Sequence, residues 1–180
     1  HHWAAPTATT GAGVAASLSL AGPSTRQVLG ANDRVRIGAI GTGRQGVSNM
    51  KAFQKHGAEV AAVCDVYEPN LAKAKLVAGE AAATHADFRR VLDDKTIDMV
   101  IVATPDHWHA LPAVQACAAG KDVFVEKPVS VAVEEGKLML AAARKHQRVM
   151  QVALWQRSTA HFQRAVQIVR SGALGKITYQ

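Results

Sequence analysis

From Arg34 onward the chain repeats one pattern, a short run of apolar, largely β-branched residues followed by a stretch of helical length. "RVRIGAI" precedes "VSNMKAFQKH", "EVAAVCD" precedes "PNLAKAKLVAGE", and "DMVIVAT" precedes "HALPAVQACAAG". "DVFVE" then precedes "VEEGKLMLAAARKH", before a last run, "RVMQVA". The runs lack polar alternation, so both of their faces must be covered. Strands covered on both faces belong to a parallel sheet, whose crossovers need segments of helical length. The expectation is an α/β fold, a doubly wound parallel sheet. Gly57 and Gly120 fall where helices should stop, and Pro69 falls in a first helical turn. "THADFRRVLDD" supplies a weak third strand and a short helix.

The bulk numbers set limits on function. A chain of 180 residues has room for one domain with a sizeable core, or one domain and a fragment of another. Although 48% of it is hydrophobic, no apolar run is long enough to span a membrane. The net charge of +7 is concentrated after residue 120, where ten basic residues meet four acidic ones. They are spread as on a solvated helix face, with "RKHQR" (Arg144–Arg148) the only knot, so a nucleic-acid partner is not expected. Cys64 and Cys117 lie in apolar surroundings and read as small core residues.

Three stretches carry chemistry. In "VRIGAIGTGRQG" the glycines Gly41, Gly43 and Gly46 form G-x-G-x-x-G after a strand and at the mouth of a helix. The first makes a tight turn, the second admits a pyrophosphate to the backbone, and the third lets helix and strand pack closely. Thr42, Arg44 and Gln45 complete this loop. Asp65 ends the second strand, 19 residues after Gly46, where a carboxylate accepts hydrogen bonds from a ribose diol and repels a 2′-phosphate. NAD is therefore favoured as cofactor, with NADP left open by Arg44.

"ATPDHWHA" (Ala103–Ala110) ends the fourth strand, at the switch point where such sheets bind ligands. Two readings stand side by side here. Thr104, Pro105 and His109 contact the cofactor, or the stretch simply starts a helix with Asp106 as N-cap and Trp108 packing. His107 and His109 invite a metal, but no coordination set is completed around them, and no metal is expected. In "VFVEKPVS" (Val123–Ser130), Glu126 and Lys127 emerge at the end of the fifth strand. A lysine in a partly dry cleft can bind a substrate hydroxyl and relay its proton. On spacing alone, an ordinary surface ion pair with Glu126 is the commoner outcome.

Taken together and in this order, "GAIGTGRQG", "VCDVYEP", "TPDHWHA", "VFVEKPVS" and "QVALWQRS" resemble the Gfo/Idh/MocA family of glucose-fructose oxidoreductase and inositol dehydrogenase. The resemblance covers about Val35 to Gln180, and "EKP" is its specific element. It implies an NAD(P)-binding Rossmann domain followed by a second α/β domain on an open sheet. It also implies hydride transfer between the nicotinamide and a sugar or polyol, and a homo-oligomer in the full-length protein. By the same resemblance Lys127 is the catalytic residue, and it joins Glu126 at the cofactor, with the peptide before Pro128 often cis. The family's Asp and His partners in the second domain have no match in residues 154–180. Leu154 and Trp155 stand where the family has small residues, and Trp155 enlarges the wall near the nicotinamide.

The expected organisation is thus residues 1–33 as a flexible leader or signal-peptide remnant, 34–153 as the Rossmann domain, and 154–180 as the incomplete start of a substrate and oligomerisation domain. The segment Ala12–Ala21 has the character of a signal-peptide core, which suggests export to the periplasm, with the cytoplasm as alternative. The leader resembles the export signals of secreted family members but lacks their twin arginines. In "STAHFQRAVQIVRSG", Phe162, Val166 and Val169 fall on one helical face, with Ser158 as N-cap and Gly172 as stop. "GKITYQ" then reads as the start of a strand. Two rival functions remain at this level, a dinucleotide-binding sensor module without catalysis and a methyltransferase with a similar glycine loop.

Overall fold

The computed structural model describes residues 34–176 and 178. The expected leader, including Ala12–Ala21, lies outside them, as does much of the expected strand in "GKITYQ". Six strands alternate with helices in chain order. They are β1 (Arg36–Ile40), α1 (Arg44–Lys55), β2 (Glu59–Cys64), α2 (Glu68–Ala78), β3 (Ala83–His85) and α3 (Phe88–Asp93). There follow β4 (Met99–Val102), α4 (Ala110–Ala118), β5 (Asp122–Val125), α5 (Val133–Lys145), β6 (Met150–Val152) and α6 (Ala160–Arg170). The sheet order is β3-β2-β1-β4-β5-β6 and each neighbouring pair is parallel. This is the doubly wound Rossmann arrangement, with its switch point between β1 and β4.

The two-sided burial expected of the apolar runs follows from the period of a strand, which sends successive side chains to opposite faces. On one face, Ile37 and Ala39 of β1 and Ile101 of β4 pack with Met50 of α1 and Leu71 and Ala74 of α2. On the other, Ile40, Val100, Val102, Val123 and Val125 pack with Val91 of α3, Ala113 and Cys117 of α4, and Met139 of α5. A register shift opposite Ile37 and Gly38 puts Ala61 and Ala62 of β2 into the same core. Phe53 of α1 meets Phe124 of β5 edge to face, with centroids 5.3 Å apart, a pair worth about 1 kcal/mol beyond its buried area.

The helix ends follow local rules. Pro69 lies in the first turn of α2, and Asp87 accepts a bond from the Arg89 amide at the start of α3. In α5 the carboxylate of Glu135 accepts from the amides of Val131 and Ala132, four and three residues before it. The start of α6 differs from expectation. Ser158 falls in a 3₁₀ turn (Trp155–Ser158), and the capping position passes to Thr159, whose hydroxyl donates to the Gln156 carbonyl instead. Phe162, Val166 and Val169 remain 41%, 48% and 45% exposed, so the apolar stripe of α6 meets no core among the described residues.

At the end of the sheet away from the glycine loop, Lys121 is buried between α4 and β5. Its Nζ donates to the carbonyls of Asp94 and Ile97, at 2.5 and 3.0 Å, which ties β5 to the turn before β4. Burial and the neighbouring Lys95 charge hold its pKa below the ordinary lysine value.

Candidate cofactor site

β1 ends at Ile40, and the backbone turns at once. Gly41 has φ +82°, and its amide donates to the Cys64 carbonyl at 2.9 Å. A Cβ there would lie 2.5 Å from the Thr104 amide nitrogen, so the loops after β1 and β4 touch backbone to backbone. At Gly46 a Cβ would lie 2.0 Å from the Gly41 carbonyl oxygen. The fold alone therefore demands glycine at both positions.

Gly43 is different. Its φ of −62° suits any residue, and a Cβ there would find nothing nearer than Asn70 Nδ2 at 3.8 Å. Neither conformation nor packing among the described residues explains a glycine at this point. Gly43 is also the N-cap of α1, with no side-chain cap and no acidic residue in the first turn. The helix presents its first amides and positive dipole end without a side-chain cap among the described residues, the arrangement that binds a diphosphate. Arg44 and Gln45 begin this helix, and Arg44 is exposed beside it.

Asp65 follows β2 directly and faces the loop. Oδ2 accepts from the Thr42 amide at 2.8 Å, the Thr42 hydroxyl at 3.2 Å and Asn70 Nδ2 at 3.4 Å, while Oδ1 accepts from the Tyr67 amide at 2.9 Å. A carboxylate offers about four acceptor positions, and among the described residues Oδ1 uses one of its two. Beside it the Cys64 thiol is buried, and burial with the Asp65 charge pushes its pKa up to about 12.

Thr104 and Pro105 follow β4, against Gly41. The Thr104 hydroxyl is buried and has no hydrogen-bond partner among the described residues. An orphaned hydroxyl at the switch point, together with the unexplained Gly43, fits a dinucleotide lying across these loops. Asp106 does not cap α4. It opens a 3₁₀ turn (Asp106–Trp108), and the N-cap of α4 is His109. His109 is buried, with both ring nitrogens against backbone carbonyls, of Pro128 and of Thr104. Among the described residues no group of three His, Cys, Asp or Glu side chains is placed to hold a metal.

Glu126, at the end of β5, is only 5% exposed. Oε1 accepts from Gln45 Nε2 and Asn49 Nδ2, each at 3.0 Å, and Oε2 accepts from the Lys127 amide at 3.1 Å. The carboxylate is thus turned toward α1 and makes no ion pair with Lys127. The Lys127 side chain is exposed, and its peptide bond to Pro128 is cis. Asn49 and Asn70 escaped the sequence reading. For Asn49 a signal existed, since it lies four residues after Gln45 on the same helical face.

Comparison with known proteins agrees with this geometry. Residues 35–154 match the family described as "Oxidoreductase family, NAD-binding Rossmann fold". A glycosyl hydrolase family 109 protein of Shewanella baltica is 32% identical over 125 residues, covering 64% of this chain and 27% of that protein. The WlbA dehydrogenase of Chromobacterium violaceum, solved with NADH and UDP-GlcNAcA, superposes with a TM-score of 0.73 at 30% identity. That match covers 81% of this chain and 43% of the other. The scyllo-inositol dehydrogenase of Lactobacillus casei, solved with NAD(H) and scyllo-inositol, gives 0.69 at 27% identity, covering 81% and 44%. The chain spans less than half the length of each of these proteins.

Proposed function

Because this chain belongs to the oxidoreductase family with the NAD-binding Rossmann fold, we propose that it supplies the cofactor half of an enzyme that oxidises or reduces a sugar or polyol. Bound NAD supplies the hydride acceptor or donor at the nicotinamide, which no side chain can provide. The residues of the chain do the rest. The amides at the start of α1, which have no side-chain cap among the described residues, and the bare backbone of Gly43 receive the diphosphate. Asp65 Oδ1 accepts from the adenosine ribose, and its charge disfavours a 2′-phosphate, so NAD is preferred to NADP.

Lys127 binds the substrate oxygen at which the proton moves. The observation that carries this reading is the engagement of Glu126, whose carboxylate is taken up by Gln45, Asn49 and the Lys127 amide. The lysine is left without its neighbour as ion-pair partner, and its ammonium is available to a substrate hydroxyl or carbonyl. The neighbouring loop brings Trp155, 57% exposed, as an apolar wall for the ring of a sugar or polyol. In this reading residues 154–180 begin the domain that closes over the substrate.

The test is made in the full-length protein with NAD and a panel of myo-inositol, scyllo-inositol and UDP-GlcNAcA. Reduction of NAD with one of them, lost in Lys127→Met while NADH still binds, is the expected result. Unchanged turnover in that variant removes Lys127 from the chemistry. NADH binding without turnover of any panel member or related sugar leaves a dinucleotide sensor. The name of the Shewanella relatives favours a second reading, cleavage of a glycoside. It differs in one observable, since sugar would be released with no accumulation of NADH.

A further inference from the structure

His109 is 1% exposed and spans two loops. Its Nδ1 lies 2.6 Å from the Pro128 carbonyl oxygen, and its Nε2 lies 2.9 Å from the Thr104 carbonyl oxygen. Thr104 lies just past β4 and Pro128 just past β5, so the ring bridges the ends of adjacent strands. Both partners are carbonyl oxygens, which accept only. A neutral imidazole carries a single N–H, so the ring donates to one of them, and the shorter contact assigns that bond to the Pro128 carbonyl. The ring is thus enclosed between the loop after β4 and the loop after β5.

We propose that His109 is a positioning residue that fixes the loop carrying Lys127 by holding the Pro128 carbonyl. The proposal rests on the reading that Lys127 acts on substrate. Lys127 sits between two anchored neighbours. Glu126 on one side is tied to α1 through Gln45 and Asn49, and Pro128 on the other is tied to His109. The Lys127 amide is itself held by Glu126 Oε2, while the side chain projects from the surface. Backbone and side chain thus have opposite freedoms. A lysine side chain has several rotatable bonds, and its ammonium reaches a reacting oxygen reliably only if its root is fixed. A displacement of about 1 Å at such a root costs on the order of a hundredfold in rate. The Pro128 carbonyl has no partner in a helix or strand ladder, so without the ring this anchor is lost.

Two measurements test this. In the full-length protein with the panel substrate it turns over, His109→Phe keeps the ring volume and removes the bridge. Its kcat is expected to fall about tenfold or more, with NADH affinity nearly unchanged and Lys127→Met severely impaired. His109→Gln, which can still donate one hydrogen bond, is expected to recover much of the loss. An unchanged kcat in His109→Phe, or a parallel loss of NADH affinity, overturns the positioning role. Unchanged turnover in Lys127→Met instead overturns the reading beneath it, so the two failures are distinct. The second measurement needs no variant. A long-range ¹H–¹⁵N spectrum of the 180-residue chain is expected to show an exchange-protected proton on Nδ1 of His109, and an unprotonated Nδ1 overturns the bridge to Pro128.

Discussion

The main-chain amide of Thr42 lies 2.8 Å from Oδ2 of Asp65, and the Thr42 hydroxyl lies 3.2 Å from the same oxygen. Thr42 is 1% exposed, so a buried residue inside the glycine loop is braced by the carboxylate that ends the neighbouring strand. One carboxyl group thereby shapes the loop with Oδ2, while among the described residues Oδ1 accepts only from the Tyr67 amide.

This double duty predicts a double loss. Asp65→Ala leaves the Thr42 amide without its acceptor and should cost about 1–3 kcal/mol of stability, read by denaturant unfolding. In the same variant NADH affinity should fall about tenfold while affinity for NADPH falls much less, because the ribose bond and the repulsion of a 2′-phosphate vanish together. Equal losses for the two cofactors would separate Asp65 from the ribose.

The three glycines should respond differently to alanine. Gly46→Ala places a Cβ 2.0 Å from the Gly41 carbonyl and is expected to unfold the loop or the domain. Gly43→Ala meets nothing among the described residues closer than 3.8 Å. Its thermal midpoint should move little, while NADH affinity drops about tenfold or more as the methyl group meets the diphosphate. Calorimetry and a fluorescence titration of the same samples check the contrast.

Cys64 and Cys117 are both buried, and burial raises both thiols, Cys64 to about 12. Neither forms a thiolate in the folded state near neutral pH. A disulfide reagent at pH 8 should therefore label both only as fast as the domain opens, and labelling should become immediate in denaturant.

For Lys121 the sign of the pH dependence follows from its lowered pKa. The unfolded chain holds this proton to higher pH than the folded one, so between the folded value and the ordinary 10.5 the lysine makes stability rise with pH. Lys121→Met should be less stable than the parent by about 1–3 kcal/mol at neutral pH, because two carbonyls lose their donor. The gap should widen as pH climbs toward 10.5, as measured by urea unfolding across that range.

Much of this architecture is written in local pattern. The apolar runs name the strands because two-sided burial forbids polar alternation, and the glycine spacing names the loop because Gly41 and Gly46 have no steric alternative. Asp65 is legible from its distance to Gly46. What the pattern hides are contacts whose partners are backbone atoms or lie far along the chain. His109 meets the carbonyls of Thr104 and Pro128, atoms that every residue possesses, so no residue type advertises the bridge. Asn49 meets Glu126 across 77 positions. Asp106 reads as a cap because Asp favours caps, yet the 3₁₀ turn that follows Pro105 moves the start of α4 to Ala110.

The most direct test of the account is a crystal structure of the chain grown with NAD. The diphosphate oxygens are predicted to lie within hydrogen-bond distance of the amides that open α1, directly over Gly43. The adenosine ribose should meet Asp65 Oδ1, and the nicotinamide should lie toward Lys127. A dinucleotide bound elsewhere, or the Gly43 hollow closed by protein side chains in its presence, would contradict it.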